Sequence, residues 1–357
     1  MAGVPRDRAG GSVAGFRKTM RAPAGRITNQ ALFAALVLVF GTGVATVAIG
    51  SASGRWAAIA HGIAGLVILL LVPWKSRVVR GGLRRGRATR WVSLLLAGLV
   101  VITFVAGVGY ATGLVRLIAG RPGLWVHIAV ALVLVPLVLW HLAARRIRPR
   151  RSDLSRRTFL RAGLLGAGAA GLYFAAGEAV RLGGLPGADR RFTGSYEAGS
   201  FDPDAMPTTS WLVDPVPAVD PDRWRLTVVD GTGRYQLGLG ELAASGVQMR
   251  ATLDCTSGWY ARQDWSGVPV KALLRSTGQA RSLLVRSVTG YWIRFPVSDV
   301  GRLLLATHVG GVPLSAGHGY PLRLVAPGRR GYWWVKWVDR IELSAAPWWW
   351  QPPFPVT

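Results

Sequence analysis

The chain has 357 residues, 50% of them hydrophobic, and a formal net charge of +26. A chain of this length has room for two or three modules. So high a charge would ordinarily indicate nucleic acid, but the arginines crowd beside long apolar runs instead of forming one basic face. This distribution argues against a nucleic-acid partner and favours a membrane protein. The clusters occupy the first 30 residues, Lys75 to Arg90, and Arg145 to Arg161.

Four apolar runs in the first half of the chain are predicted to be membrane-spanning helices, because each approaches the ~20 residues that cross a bilayer. They cover about 31–50, 57–74, 91–114 and 124–143. The loops after the first and third runs carry few charges, whereas the other connections are basic. By the positive-inside rule, the N-terminus and the basic connections are therefore expected in the cytoplasm.

A fifth, weaker apolar run covers about 159–179 and would lead the remaining chain, from about residue 181, to the outer face of the cytoplasmic membrane. It follows Ser155-Arg-Arg-Thr-Phe-Leu-Arg161, which resembles a twin-arginine export signal in an internal position. The alternative is a basic flank on an ordinary membrane helix. Ala175–Ala179 could be read as a cleavage site. We expect a retained anchor, because cleavage would separate the outer domain from its helices.

Two histidines fall near the outer ends of parallel predicted spans: His61 in the second and His127 in the fourth. Histidines inside spans are usually functional, and two facing imidazoles can ligate b-type haem. The alternative is interhelical hydrogen bonding. His141 lies about four turns beyond His127 and is expected to be an interfacial side chain, so one haem is predicted.

Cys255 is the only cysteine in the chain, which excludes an internal disulfide, a four-cysteine metal site and a CxxCH haem attachment. A thiolate can hold a transition metal, although a lone cysteine is often a small buried apolar residue. It stands in Thr252-Leu-Asp-Cys-Thr-Ser-Gly-Trp259, and Trp265-Ser-Gly-Val-Pro269 follows.

A second block downstream carries cationic side chains suited to a phosphate: Gly317-His-Gly-Tyr-Pro-Leu-Arg-Leu-Val-Ala-Pro327, then Gly331-Tyr-Trp-Trp-Val-Lys-Trp337. Arg323 and Lys336 can supply charge-assisted donors. His318 offers a ring nitrogen beside Gly319, where a ligand can approach the backbone closely.

Together, the two blocks resemble the cofactor-binding segments of the sulfite-oxidase-fold molybdopterin enzymes, over roughly residues 200–345. The resemblance implies that Cys255 binds molybdenum directly. It also implies that Tyr260 and Tyr291 face the open metal position, strand packing being the alternative for Tyr291. The molybdopterin and its phosphate would be held by His318, Gly319, Arg323 and Lys336.

The chain also departs from that family at two substrate-side arginines. Tyr260 occupies one position, and the segment Met206–Ser210 replaces the other. Arg262 could substitute, but its spacing differs, so a tight pocket for sulfite or another small dianion is not expected. The dimerisation domain of sulfite oxidases is expected to be missing after Leu343. The aromatic tail could lie at the membrane–water boundary or pack on the domain.

The predicted fold is a membrane α-helical bundle of four spans plus a fifth anchoring helix, followed by an α+β sulfite-oxidase-like molybdopterin domain. The predicted parts are a basic cytoplasmic tail (1–30), a four-helix cytochrome b-like domain (31–145), the twin-arginine-like segment with the fifth helix (146–180), a linker (181–200), the molybdopterin domain (201–346) and the aromatic tail (347–357).

These features predict a molybdenum-dependent oxidoreductase that transfers oxygen atoms and exchanges electrons with the quinone pool through haem b. The nearest analogy is the periplasmic methionine-sulfoxide reductase pair, so reduction of a small-molecule or protein-bound S- or N-oxide is the first hypothesis. Oxidation of a substrate, with electrons passed to quinone, is the second. A metal-free binding module on a haem-bearing, lipid-embedded anchor is the third.

Overall fold

The computed structural model describes residues 24–83, 90–144, 155–209, 215–244 and 246–351. The basic tail before residue 24, Arg145 to residue 154, Ser210 and residues 352–357 of the aromatic tail lie outside these ranges. The described residues fall into two compact units. The first lies within Met1–Gly41, Ile59–Val105 and His127–Ala179, and the second within Thr42–Ala58, Ala106–Val126 and Val180–Thr357.

Within the described ranges, five helices are long and apolar enough to cross a membrane, which confirms the five apolar runs as helices. Large apolar side chains such as Phe33, Val101 and Leu132 are exposed along them. Exposed apolar faces of this extent mark surfaces that contact something other than water. The helices are α1 (Ala24–Ala48), α2 (Gly54–Leu83), α3 (Arg90–Thr112), α4 (Gly123–Ala144) and α5 (Arg156–Leu182).

Within the first unit, α5 packs closely against α2. A Cβ atom at Gly62 would lie 2.3 Å from Cε2 of Tyr173, so glycine is required where the two helices meet. Ala169, one turn before Tyr173, is fully buried. Small residues permit such close helix approach inside membranes. The segment with the twin-arginine-like start therefore packs as part of the helical unit.

The second unit contains a two-stranded hairpin and two larger sheets. The hairpin joins β1 (Leu117–Ile118) to β2 (Arg121–Pro122) between α3 and α4. The strands of the six-stranded sheet are β3 (Tyr196–Glu197), β6 (Val247–Asp254), β7 (Trp259–Pro269), β10 (Leu304–Val309), β11 (Val312–Pro313) and β12 (Arg323–Val325). Their order is β11-β10-β7-β3, with β12 also paired to β10 and β6 also paired to β7.

The strands of the five-stranded sheet are β4 (Leu226–Asp230), β5 (Gly233–Leu237), β8 (Ser282–Ser287), β9 (Trp292–Pro296) and β13 (Val338–Ser344). Their order is β5-β4-β13-β8-β9, and their apolar side chains share one core with those of the six-stranded sheet. Each fully buried aliphatic side chain stabilises the fold by about 1.5–3 kcal/mol relative to exposure. Short helices α6 (Leu239–Ala243) and α7 (Val270–Leu273) complete the α+β domain.

The sequence predicts a strand over 333–344 and a short helix from Ser298 to Leu305, and the structure differs at both. The last strand, expected over 333–344, begins only at Val338, because Gly331–Trp333 forms a 3-10 helix instead. The helix expected from Ser298 to Leu305 is a 3-10 helix over Val297–Arg302, and Leu304 already belongs to β10.

Candidate functional site

Cys255 lies at the tip of the hairpin formed by β6 and β7. Its backbone N–H donates to Trp259 O at 2.8 Å, and Gly258 N–H donates back to Cys255 O at 3.2 Å, which closes a tight loop. Gly258 has φ of +98°, a conformation that favours glycine. The thiol is free and half-buried, and the Ser257 hydroxyl donates to its sulfur at 3.1 Å. The loop thus presents one polarised thiol.

Asp254, the residue before the cysteine, is the centre of a buried polar cluster that sequence reasoning missed. Its carboxylate accepts hydrogen bonds from two arginines, Arg191 and Arg330, and from the hydroxyls of Thr193 and Ser195. Arg330 also donates to Cys255 O at 3.3 Å. The cluster fixes the end of β6. The partners of Asp254 are distant from it in sequence, so no local sequence motif predicts the cluster.

Arg323 is a buried cation without an acidic partner among the described residues. It is 3% exposed and its Nη1 donates to His318 O at 3.0 Å. Its Nε has no hydrogen-bond partner in the part of the chain that the structure describes. Burial lowers its pKa to about 10, and a negative charge on the Cys255 sulfur would act in the opposite direction. Burying a charge without a counter-charge is costly. The position is therefore suited to an anionic group of a ligand.

Lys336 connects the second sequence block to the cysteine loop. Its Nζ donates to Gly317 O at 2.6 Å and to Thr209 O at 2.9 Å. The Thr209 hydroxyl accepts from Trp259 Nε1 at 3.0 Å and lies 3.4 Å from the Ser257 hydroxyl. The two predicted blocks thus meet through Thr209, which the sequence reading did not single out.

Gly319 and His318 shape the same region. A Cβ at Gly319 would lie 3.1 Å from Lys336 Cβ and 3.3 Å from Arg323 Cβ, and φ there is +109°, so a side chain would crowd both cations. The His318 ring is already engaged: Nε2 donates to Met206 O at 3.0 Å and Nδ1 lies 2.9 Å from the Ser315 hydroxyl. Burial and the Arg323 charge lower the pKa of His318.

The two predicted catalytic tyrosines have different surroundings. Tyr260 pairs with Asp254 across the hairpin, and the Arg191 guanidinium lies 5.3 Å from its ring centre. Tyr291 is buried, and its hydroxyl donates to Tyr332 O at 2.5 Å. The Tyr291 contact fits the packing alternative, and a role of either tyrosine at the metal remains a prediction.

A cavity of about 470 Å³ opens beside Asp254 and is rich in arginine. Sequence reasoning had drawn attention only to Arg262. Three of the lining arginines pair with carboxylates: Arg191 with Asp254, Arg250 with Asp264 and Arg329 with Asp299. Arg262 has no acidic partner among the described residues, so the lining retains a positive charge. Such a surface favours an anion. The lining arginines are Arg191, Arg250, Arg262 and Arg329.

The first unit brings His61 and His127 together. Their ring centres lie 5.9 Å apart with the planes at 80°. The Nδ1 of His61 lies 2.8 Å from Val39 O, and the Nδ1 of His127 lies 2.8 Å from Thr103 O. A carbonyl can only accept, so both Nδ1 atoms carry the proton, which leaves Nε2 of each ring as the lone-pair nitrogen. His141 lies in the last turn of α4.

Comparison with known proteins agrees with the site. Residues 213–350 match the family described as oxidoreductase molybdopterin binding domain. Human mitochondrial sulfite oxidase is 26% identical over 167 residues, covering 36% of this chain and 31% of that protein. The NADPH nitrate reductase of Mycosarcoma maydis is 55% identical over 42 residues, 12% of this chain and 4% of that protein. The chain thus spans less than a third of the length of either relative.

Among solved structures, the sulfane dehydrogenase SoxCD from Paracoccus pantotrophus is 23% identical, with a TM-score of 0.35 over 37% of this chain and 40% of that chain. The buried Arg323, the free Cys255 thiol and the glycine at position 319 fit a cofactor with an anionic group and a thiolate-bound metal. Residues 213–350 therefore form a molybdopterin-binding oxidoreductase domain of the sulfite-oxidase fold, joined in this chain to five helices able to cross a membrane.

Proposed function

We propose that the protein is a membrane-anchored molybdenum-dependent oxidoreductase that reduces an S- or N-oxide with electrons drawn from quinol through haem b. The observation that carries this proposal is the buried Arg323 cation near the single thiol, Cys255, in a domain that matches the molybdopterin-binding family. The overall reaction balances as oxide plus two electrons and two protons giving the reduced substrate and water.

Residues of the second unit would bind different parts of the cofactor. Cys255 would bind the metal through its thiolate, and Arg323 and Lys336 would face the phosphate. Gly319 would permit close approach, while His318 would fix the Met206 segment through the bond already described. When bound, the cofactor supplies two-electron chemistry for oxygen-atom transfer. Tyr260 and Tyr291 are proposed as hydroxyl donors on the substrate side, a role for which Tyr291 would have to give up its bond to Tyr332 O.

The pairing of His61 with His127 supports a single bis-histidine haem b. Imidazole nitrogens bind metals at about 2 Å, so ring centres 5.9 Å apart are close enough to share one ion. Backbone carbonyls that accept from Nδ1 orient the rings, as is common for metal-bound histidine. The haem would pass electrons singly between quinol and the molybdenum cofactor.

We further propose that α5 directs and retains the domain at the outer face of the cytoplasmic membrane. The Ser155 hydroxyl accepts from Thr158 N–H at 3.2 Å, so Arg156 and Arg157 lie in the capped first turn. Replacing both arginines by lysine, in a chain with a reporter fused after Gln351, should hold the reporter in the cytoplasm. Normal export of the double variant would contradict the signal.

A second candidate, oxidation of a small oxyanion with electrons passed to quinone, is favoured by the arginine-lined cavity beside Asp254. It shares the cofactors of the first candidate and differs in the charge of the substrate and the direction of electron flow. An Arg262→Gln variant should weaken binding of an oxyanion, seen as a raised KM, and leave a neutral oxide unaffected.

The deciding assay uses the full chain in detergent with both cofactors, kept anaerobic. Reduced haem should be reoxidised by methionine sulfoxide or trimethylamine N-oxide if the protein is a reductase. Haem reduction by sulfite, with quinone as the final acceptor, would favour the second candidate. A protein that holds haem, contains no molybdenum and responds to none of these substrates would instead be a binding module on a membrane anchor.

A further inference from the structure

Tyr110, near the end of α3, contacts the loop that carries Cys255, and both belong to the second unit. Its hydroxyl donates to Gly258 O at 2.9 Å. Gly258 is also the residue whose N–H donates to Cys255 O at 3.2 Å. The Tyr110 hydroxyl therefore binds the same residue, Gly258, whose N–H closes the cysteine loop.

The contact is tightly built on both sides. Tyr110 is only 5% exposed, and a Cβ at Gly258 would lie 2.1 Å from the Tyr110 hydroxyl oxygen. Any side chain at 258 would displace the phenol as well as strain a backbone at φ +98°. Glycine at position 258 thus permits both the backbone conformation of the turn and the close contact with the Tyr110 hydroxyl.

Tyr110 is itself held by the segment that follows α5. The Tyr196 hydroxyl donates to Tyr110 O at 2.5 Å. The two rings pack edge to face, with their centres 5.3 Å apart. The Tyr196 N–H donates to Gly258 O at 2.9 Å, so the same carbonyl accepts two hydrogen bonds. The guanidinium carbon of Arg116 lies 4.4 Å from the centre of the Tyr196 ring.

We infer that Tyr110 is a positioning residue for Cys255: its hydroxyl, acting through Gly258 O, fixes the loop and hence the direction of the thiol. Tyr110 and Tyr196 both precede residue 213, where the match to the family begins, so this support comes from outside the matched region. The part concerning molybdenum rests on the proposed function, whereas the fixing of the loop holds with or without the metal.

The first test uses the full chain in detergent, produced in a host that cannot make the molybdenum cofactor. Cys255 is the only cysteine, so its rate of labelling by a maleimide reports on the loop directly. Tyr110→Phe should raise that rate about fivefold, the change in open population expected on losing one neutral hydrogen bond. Tyr235→Phe is the matched control, because it removes a phenol that donates to Leu273 O instead. Equal rates in Tyr110→Phe and the parent would overturn the inference.

The second test uses protein from a cofactor-making host and the Mo(V) electron paramagnetic resonance spectrum. Tyr110→Phe should keep its molybdenum content, shift the g values and lower kcat with little change in KM, while Tyr235→Phe should match the parent. An unshifted spectrum at full metal content would overturn the role at the metal. Parent protein without molybdenum would overturn the proposed function, and the labelling rates would still decide the role in the loop.

Should Tyr110→Phe fail to fold, Tyr196→Phe offers an independent variant, because it loosens Tyr110 by removing the donor to Tyr110 O. It should change the labelling rate in the same direction and by a smaller factor. No change in that variant, with Tyr110→Phe unfolded, would count against the inference.

Discussion

Asp254 and Arg330 form an ion pair in which both side chains are buried, at 3% and 1% exposure, immediately before the cysteine of the candidate site. A buried pair offsets its desolvation cost only when further hydrogen bonds satisfy both groups. Here Arg191, Thr193 and Ser195 complete the shell of the carboxylate. The end of β6 is thereby fixed by charge as well as by the sheet.

The first prediction concerns this pair. Asp254→Ala would leave Arg330 buried without its partner, and we expect a loss of roughly 3–5 kcal/mol in the free energy of unfolding. Denaturant unfolding, followed by tryptophan fluorescence, measures it. Asp264→Ala is the control, because its pair with Arg250 is exposed and should contribute little. Similar losses in both variants would contradict the assignment.

The second prediction concerns Arg323, whose charge is buried without an acidic partner in the described structure. Arg323→Met removes a desolvated cation, so the cofactor-free protein should be as stable as the parent or more stable. Molybdenum content of the loaded protein should nevertheless fall at least about tenfold, because a charge-assisted phosphate contact is lost.

Metal analysis and thermal unfolding of the same preparations test both halves of that expectation. Arg250→Met is a suitable control, since this arginine lies at the surface and pairs with Asp264. A normal molybdenum content in Arg323→Met would contradict the assignment of this buried cation to the phosphate of the cofactor.

The third prediction separates the three histidines of the long apolar helices. His61→Ala and His127→Ala should each abolish the b-type haem absorbance, because the two rings are the pair that the helices bring within 5.9 Å. His141→Ala should keep it, since His141 lies in the last turn of α4. The optical spectrum of the purified chain is the measurement. Haem loss in His141→Ala alone would reverse the assignment.

The fourth prediction follows from the lowered pKa of His318, which burial causes and Arg323 reinforces. The unfolded chain takes up a proton on this histidine near its ordinary pKa of 6.5, and the folded chain does so only at lower pH. Acidification therefore favours the unfolded state, with stability lost as the pH falls from above 6.5 through the lowered folded value. His318→Gln should show a flatter dependence of unfolding on pH between about 7.5 and 5. Equal slopes would contradict the account.

Much of this architecture could be predicted from local patterns. The apolar runs are long enough to show as helices, and Cys255, Arg323 and Lys336 stand in short recognisable blocks. The contacts that join them could not be predicted, because they link distant segments: Thr209 to Lys336, and Tyr110 to Gly258. The start of the last strand at Val338 could not be predicted either, because a 3-10 turn interrupts an apolar sequence whose pattern is that of one continuous strand.

The proposal that the chain binds both a molybdenum cofactor and a haem is tested by its molybdenum and iron content, measured by mass spectrometry on the full-length protein and on Cys255→Ala. We expect about one molybdenum and one haem iron in the parent. We expect Cys255→Ala to keep the iron and the haem spectrum and to lose turnover. A parent chain with iron and no molybdenum, from a host that makes the cofactor, would contradict the claim.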